Sequence, residues 1–482
     1  MSDILSLDAT GQLIALESRR ISAVELLKLS LARHEKTHGR INAVIAADLA
    51  RALERAKALD DLRFRAETLG ALAGLPMTIK DTIDVDGMPA SSGVEALRRR
   101  KAQDAVVVSH AHRAGAVIWG KTNVPVMAAD WQSYNPVYKT TNNPWDTDRT
   151  PGGSSGGAAA AVALGVTALE IGSDIGGSLR VPASFCGVYS HKPTWGAVSQ
   201  IGHVPPHPGA HAERDLNVVG PIARSARDLR LLLSILEGGA VAPKGPPAEL
   251  RGLRIGLWLE EPAFVLDAEV RAVIENFAVE LAQAGAEVTP ITSPVQAQDL
   301  LRAYLTLLGA TLGPDMPAGM RRQMEIARGP AKLALALGAP YDSWAGMALA
   351  YSARHSEWLD ADETRCRLAD QLKPAFEKFD VILAPATPVT AFPHDHSNFA
   401  SRKLVCSNGL KVSYLAMLRW VALATACRLP ATTIPAGLTT GGLPVGVQLI
   451  GPSRSDTRLI AIAEAIEAAL GGFQAPPPPH GL

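Results

Sequence analysis

Apolar positions recur along this chain with two periods. After Ser22, the leucines Leu26, Leu27, Leu29 and Leu31 fall on one face of a helix. Ser22 and Glu25 stand where a capping box needs them. Residues 6–59 therefore read as helical, broken by a short strand over 41–45 and resuming as an amphipathic helix over 48–59. Shorter apolar runs bounded by Gly and Pro predict strands instead: 74–81, 115–123, 254–258, 286–290 and 379–388. Two more, 429–437 and 442–452, read as a hairpin. Helical patterns fill 104–112, 269–284 and 456–469, and 216–236 reads as a turn followed by an amphipathic helix. Residues 297–371 are rich in Leu, Ala and Met and read as mostly helical. Strands alternating with helices predict an α/β fold. The Pro/Gly/Ala-rich stretch 239–249 reads as a linker, and the proline-rich tail 474–482 as frayed.

Composition narrows the function classes. The 482 residues are 47% hydrophobic, enough for a large core, and length alone would suggest about three domains. Forty-seven basic residues balance 47 acidic ones, which favours neither nucleic acid nor an anionic membrane as partner. The four cysteines, Cys186, Cys366, Cys406 and Cys427, are scattered without a CxxC pair, so neither a disulfide framework nor a zinc site is expected. No apolar run reaches a membrane span, and the first residues lack the apolar core of a signal peptide. A reducing cytoplasm is the expected setting. No fixed-period repeat is present.

The chemistry concentrates in residues 149–193. Two glycine/serine clusters, one ending at Gly157 and one spanning 172–178, flank a small-residue helix over 158–166. Glycine-dense loops are costly to order, so the backbone must come close to something, most simply a substrate. Ser154 and Ser155 place hydroxyls in the first cluster. In the second, Ser178 follows Ile175-Gly176-Gly177, whose unobstructed N–H groups suit an oxyanion beside a nucleophile. Asp174 and Arg180 are placed to pair and fix that loop. Upstream, Lys80 lies between Ile79 and Ile83. A lone strand-end lysine is usually a surface residue, but these apolar neighbours favour desolvation, which lowers a lysine pKa and makes it a base.

These segments resemble the amidase signature family of serine hydrolases. The matching pieces are Gly152-Gly153-Ser154-Ser155-Gly156-Gly157, the run from Gly172 to Arg180, Pro182-Ala183-Ser184-Phe185-Cys186-Gly187, Lys192-Pro193-Thr194, and Thr78-Ile79-Lys80-Asp81. The resemblance covers almost the whole chain. It is strong from about 75 to 236 and from 379 to 467, and weak between. It implies a single domain over 1–482: a central mixed β-sheet covered by helices on both faces, with a helical insert near the site. Within it, 1–70 would be an N-terminal helical segment, 75–236 the catalytic core, 297–375 the variable insert and 379–467 the C-terminal core. It further implies a catalytic triad of Lys80 as base, Ser154 as bridging serine in a cis peptide, and Ser178 as nucleophile. The backbone of Ile175, Gly176, Gly177 and Ser178 would form the oxyanion hole, with Asp174, Arg180 and Ser155 as support. The expected activity is hydrolysis of amide C–N bonds through an acyl-enzyme, with aryl esters and carbamates (urethanes) as further substrates. No cofactor or metal is expected, and the chain would act as a monomer or homodimer.

Substrate choice is left to the pocket. Residues 124–144 hold Met127, Trp131, Tyr134 and Tyr138 among Asn, Thr and Pro; with Gly153 they are the expected substrate wall, although aromatic packing under a long loop explains them equally well. The wall is aromatic or apolar with little excess charge, which points to a neutral, hydrophobic or aryl amide or carbamate. The family's usual Thr-Glu-Asn is here Ser133-Tyr134-Asn135, a family glycine is Lys139, and Thr425-Ala426-Cys427-Arg428 stands for Asn-Leu-x-Gly, so substrate class is where this chain departs. His203, His207 and His211 are evenly spaced, but the prolines among them forbid the helix that would align them as metal ligands. His394 and His396 read as a surface turn. Two alternatives share some of these features. An aminoacyl-tRNA amidotransferase A-type subunit carries the same signature, although its Ala-Gly-Tyr-Tyr-Asp-type segment is missing here. An α/β-hydrolase esterase would use Ser154 in Gly-x-Ser-x-Gly with a histidine such as His394 or His396, but it leaves Lys80 and the second glycine cluster unexplained.

Overall fold

A computed structural model describes residues 4–239 and 248–477; most of the expected linker and the end of the tail lie outside the described residues. Eleven strands form one mixed sheet: β1 (Val44–Ala47), β2 (Pro76–Lys80), β3 (Val117–Thr122), β4 (Leu169–Asp174), β5 (Tyr189–Lys192), β6 (Val218–Ala223), β7 (Arg254–Glu260), β8 (Glu287–Thr292), β9 (Val381–Pro385), β10 (Ala431–Leu438) and β11 (Pro444–Ile450). Their order is β1-β3-β2-β4-β6-β5-β10-β11-β9-β7-β8. Two parallel blocks, β3-β2-β4 and β9-β7-β8, are joined through antiparallel strands that include the expected β10–β11 hairpin.

Side-chain alternation shows that both faces are covered. Along β7, Ile255, Leu257 and Leu259 enter one apolar cluster and Trp258 the other; along β9, Val381 and Leu383 part in the same way from Ile382 and Ala384. Helices Ala23–Ile41, Ala226–Leu236, Ala268–Gln283 and Asp456–Leu470 cover the first face. The capping box forms as expected: Ser22 accepts from the Glu25 N–H, and Glu25 accepts from the Ser22 N–H at 2.9 Å. β6 corrects the sequence reading, which placed only a turn there. Its six residues are all buried, so no polar/apolar alternation marks it as a strand.

Seven helices concern the site: α1 (Gly156–Ala163), α2 (Arg180–Cys186), α3 (Ala297–Leu312), α4 (Ala318–Ala336), α5 (Trp344–Tyr351), α6 (His355–Gln371) and α7 (Met417–Ala426). Helices α3 to α6 are the expected helical insert. α3 packs into the second apolar cluster beside α7, whereas α4 buries only Ala331. α1 starts two residues before the expected helix because Gly156 and Gly157 can enter crowded space that a larger residue could not. A Cβ on Gly157 would lie 2.4 Å from the Asn123 nitrogen.

Candidate active site

The parallel pairing of β2 with β4 places Lys80 and Asp174 at the same edge of the sheet. Lys80 is fully buried. Its Nζ lies 2.7 Å from Ser154 Oγ and 2.9 Å from Ser173 Oγ. Burial pulls its pKa down to about 7, against the opposing pull of the Asp174 and Glu170 carboxylates. Glu170 accepts hydrogen bonds from Thr78 and Thr122, and burial raises its own pKa to about 8.

The first glycine cluster brings Ser154 to this lysine. The Gly153–Ser154 peptide is cis, as the family resemblance implied. Gly153 is required by a close approach: a Cβ there would lie 2.4 Å from the Asp130 carbonyl oxygen. Ser155 ties the two clusters together. Its N–H donates to the Ser178 carbonyl and its hydroxyl to the Ser173 carbonyl, both at 3.3 Å.

The second cluster is held by a buried ion pair. Arg180 donates from Nε and Nη2 to the two oxygens of Asp174, both at 3.0 Å, with neither side chain exposed. Its remaining N–H groups go to the Val421 carbonyl, Gln448 and Thr425, so all five donors are used. Burial alone would raise the Asp174 pKa, but the charge and hydrogen bonds of Arg180 hold it down at about 2. Asp174 also accepts from the Gly177 and Leu179 N–H groups.

The Gly177 contact corrects the expected oxyanion hole. The Gly177 N–H is spent on Asp174 at 2.9 Å, and its φ of +94° is one that glycine adopts readily. The N–H groups of Ile175, Gly176 and Ser178 donate to no other group among the described residues. Two side chains hold this turn. The Tyr304 hydroxyl donates to the Ile175 carbonyl at 3.0 Å, and the Trp131 indole N–H to the Gly176 carbonyl at 2.8 Å. A trans peptide points its C=O and N–H in opposite directions, so fixing the Ile175 carbonyl aims the Gly176 N–H the other way.

Ser178 lies between two small cavities. One, of about 100 Å³, is lined by Trp131, Leu305, Leu308, Leu312, Met347 and Leu418 among others. The other, of about 50 Å³, holds Met127, Ser154, Ser173, His203, Asn217 and the Arg214–Asp315 ion pair. α3 contributes to both, so the insert borders the site. A larger cleft of about 960 Å³ opens elsewhere, beside Arg40, Asp146 and Arg149, and contains neither Ser178 nor Lys80. A buried amine, two serines and three N–H groups without a partner among the described residues converge at the smaller pair, which makes it the candidate chemical site.

Of the expected wall, Met127 and Trp131 border these cavities. Tyr134 and Tyr138 do not. Tyr134 stacks on His396, with ring centroids 3.8 Å apart, and accepts from Arg402. This is aromatic packing under a loop. Arg428 also stands apart, bonded to Asp215 at 2.9 Å and stacked over Trp195. Ser154 meets a lysine and no histidine, which removes the geometry of the α/β-hydrolase alternative. Sequence reasoning missed Ser173, His203 and Tyr304. Ser173 stands inside the second glycine motif, His203 reads in sequence alone as one of several loop histidines with no metal role, and Tyr304 lies in the segment where the family resemblance is weak.

A family model described as Amidase matches residues 25–460, and the chain belongs to that family, the amidase signature family. The A-type subunit of the glutamyl-tRNA(Gln) amidotransferase of Koribacter versatilis (strain Ellin345) is 32% identical, over 97% of this chain and 99% of its own length. Among solved structures, a crystal structure of an amidase is 28% identical with a TM-score of 0.79, covering 96% of this chain and 100% of that one. A 6-aminohexanoate cyclic dimer hydrolase, solved with its substrate, is 26% identical with a TM-score of 0.78, covering 98% and 99%. The family is one of C–N bond cleavage. No helix among the described residues is long and apolar enough to cross a membrane.

Proposed function

We propose that this chain hydrolyses amide bonds through an acyl-enzyme on Ser178. The observation that carries the proposal is the 2.7 Å contact between Ser154 and a buried Lys80 whose pKa has fallen to about 7, bordering the cavity that Ser178 shares. Ser178 Oγ attacks the carbonyl carbon and passes its proton through Ser154 to the neutral Lys80 amine. The free N–H groups of Ile175, Gly176 and Ser178 receive the developing oxyanion, at ~3–4 kcal/mol per donor. The proton returns to the leaving nitrogen, and water then releases the acyl group by the same route. Amide, ester and carbamate carbonyls present the same geometry to this machinery, so the cavities make the choice. Their leucine, methionine and tryptophan lining favours a neutral hydrophobic or aryl group, with aryl carbamates included.

The second reading is the A-type subunit of a glutamyl-tRNA(Gln) amidotransferase, and similarity favours it: the relative of that name is matched across nearly its whole length. Against it stands the apolar lining. The charges at the cavities are already paired, Asp130 with Arg402 and Arg214 with Asp315. A glutamine substrate would have to find partners for its own ammonium and carboxylate there.

Intact mass after reaction with an activated aryl ester tests the nucleophile: the wild-type chain gains one acyl group and Ser178→Ala gains none. Labelling of Ser178→Ala would sink the assignment. A panel of amide, ester and carbamate sharing one aryl leaving group, run beside glutamine and malonamate, separates the two readings. Highest kcat/KM on glutamine, together with co-purification of partner proteins, would establish the second.

A further inference from the structure

His203 is buried beside the site and has no part in the proton path described above. Its Nδ1 lies 2.6 Å from the Pro205 carbonyl oxygen and its Nε2 lies 2.9 Å from Ser173 Oγ. Ser173 Oγ is in turn 2.9 Å from Lys80 Nζ. These contacts fix a direction. A carbonyl oxygen can only accept, so Nδ1 carries the hydrogen and Nε2 of the neutral ring must accept. The Ser173 hydroxyl therefore donates to His203 and presents its lone pairs to Lys80. A neutral lysine has two N–H donors and one lone pair. With Ser173 as an acceptor, one N–H is directed there, and the lone pair is left for Ser154.

We propose that His203 is a positioning residue: through Ser173 it sets the direction of the hydrogen-bond chain from the Pro205 carbonyl to Lys80, so that the lysine lone pair faces the Ser154 hydroxyl. The inference rests on the reading of Lys80 as the base. Without His203, the Ser173 hydroxyl is free to turn and donate to Lys80, where it competes with Ser154 for the only lone pair. That turn also favours the uncharged amine. Burial, followed by the nearby Lys80, holds His203 neutral with a pKa lowered to about 3. The charged or titratable groups around the pair are Glu170 and Asp174 on β4, Lys121 on β3, and Arg214 and Asp315 across the cavity. None of them hydrogen-bonds Ser173 Oγ among the described residues, so none can replace the imidazole as its acceptor.

The test is the rate at which a fluorophosphonate labels the full chain as a function of pH, since that rate reads nucleophile activation without knowledge of the substrate. His203→Leu should label about 10-fold or more slowly at the high-pH plateau, within the ~10²–10⁴ that a positioned base supplies, and its acid limb should move to lower pH. His203→Gln, whose amide oxygen can accept from Ser173, should recover most of the rate. A His203→Leu profile equal to wild type would overturn the proposal. So would a lower plateau with an unmoved limb and no recovery in His203→Gln, which would leave His203 a packing residue. If His203→Leu does not fold, ¹⁵N NMR of histidine-labelled wild type decides: the chain requires His203 as the Nδ1–H tautomer, and the Nε2–H tautomer contradicts it. Lys80→Ala and Ser178→Ala run alongside. If they label like wild type, the base reading itself has failed; if they are silent while the His203 variants are normal, only this inference has.

Discussion

Two regions meet at Ser178, and they are built on opposite rules. Between Thr150 and Thr194 only Leu164 and Ile175 are not buried, although the stretch holds Ser154, Ser155, Ser173, Asp174, Ser178 and Arg180. Each of these side chains except Ser178, the proposed nucleophile, has a hydrogen-bond partner, and Arg180 uses all five donors. The insert across the cavity is mostly helix, apolar where it faces Ser178 and loosely covered beyond. α4 buries a single residue and leaves Ile326 and Leu333 at 71% and 62% exposure. Buried polar networks tolerate few arrangements, because every unmatched donor or acceptor costs ~1–3 kcal/mol. Apolar walls tolerate many. Reaction type is therefore held by the first region, and substrate range is free to vary in the second.

The largest break in that division comes at Lys80, the proposed base. Lys80→Ala should lower kcat/KM by about 10³-fold or more. The pH dependence has a definite sign. Lys80 must be uncharged to accept a proton and its pKa lies at about 7, so activity rises as pH passes through about 7 and is lost below it. Lys80→Ala should lose that acid limb as well as the rate. A pH–rate profile with the same limb in the variant would place the base on another group.

Next is the ion pair under the oxyanion turn. Arg180→Met leaves the Asp174 carboxylate buried without its cation and should cost ~3–5 kcal/mol of stability. An ion pair in the insert, Arg328–Glu357 at 2.6 Å, differs in leaving 33% of its carboxylate side chain in solvent, which screens it. Arg328→Met should cost only ~0–1 kcal/mol. Urea unfolding of the two variants measures the contrast, and equal losses would show that the regions do not differ in kind.

The same contrast explains what the sequence disclosed. Lys80, Ser154, Ser178 and the Asp174–Arg180 pair were legible because each sits in a motif whose glycine spacing is itself a physical requirement. Gly153 and Gly157 leave no room for a Cβ. The sheet was legible where Pro marks the start of a strand, as at Pro76 of β2 and Pro430 before β10, and illegible in β6, where burial on both faces erases the alternation. The engagement of the Gly177 N–H was hidden, because a motif names residues and not the direction in which each peptide points. His203 was hidden for a related reason. Its partner Ser173 lies 30 positions away, and only the fold brings them to 2.9 Å. Tyr134 and Tyr138 were misplaced because an aromatic cluster reads alike whether it packs a loop or lines a cavity.

The smallest effect should come from the insert, and its kind matters more than its size. Leu308 lies on α3, is 8% exposed and borders the apolar cavity at Ser178. Leu308→Ala enlarges that cavity without touching Lys80, Ser154, Ser173 or the oxyanion turn. Its effect should therefore fall on selectivity: kcat/KM for a bulky aryl acyl group should rise relative to a small one by ~10–200-fold, the worth of about 1–3 kcal/mol of pocket contact. The acid limb at about 7 should stay where it is, because the groups that set it are unchanged. Leu333→Ser, on the exposed side of α4, supplies the reference. It borders neither cavity and should alter stability by no more than ~0.5 kcal/mol and selectivity not at all. A Leu308→Ala enzyme with unchanged selectivity and a displaced acid limb would mean that the insert tunes the base, and the separation of chemistry from substrate choice would fail.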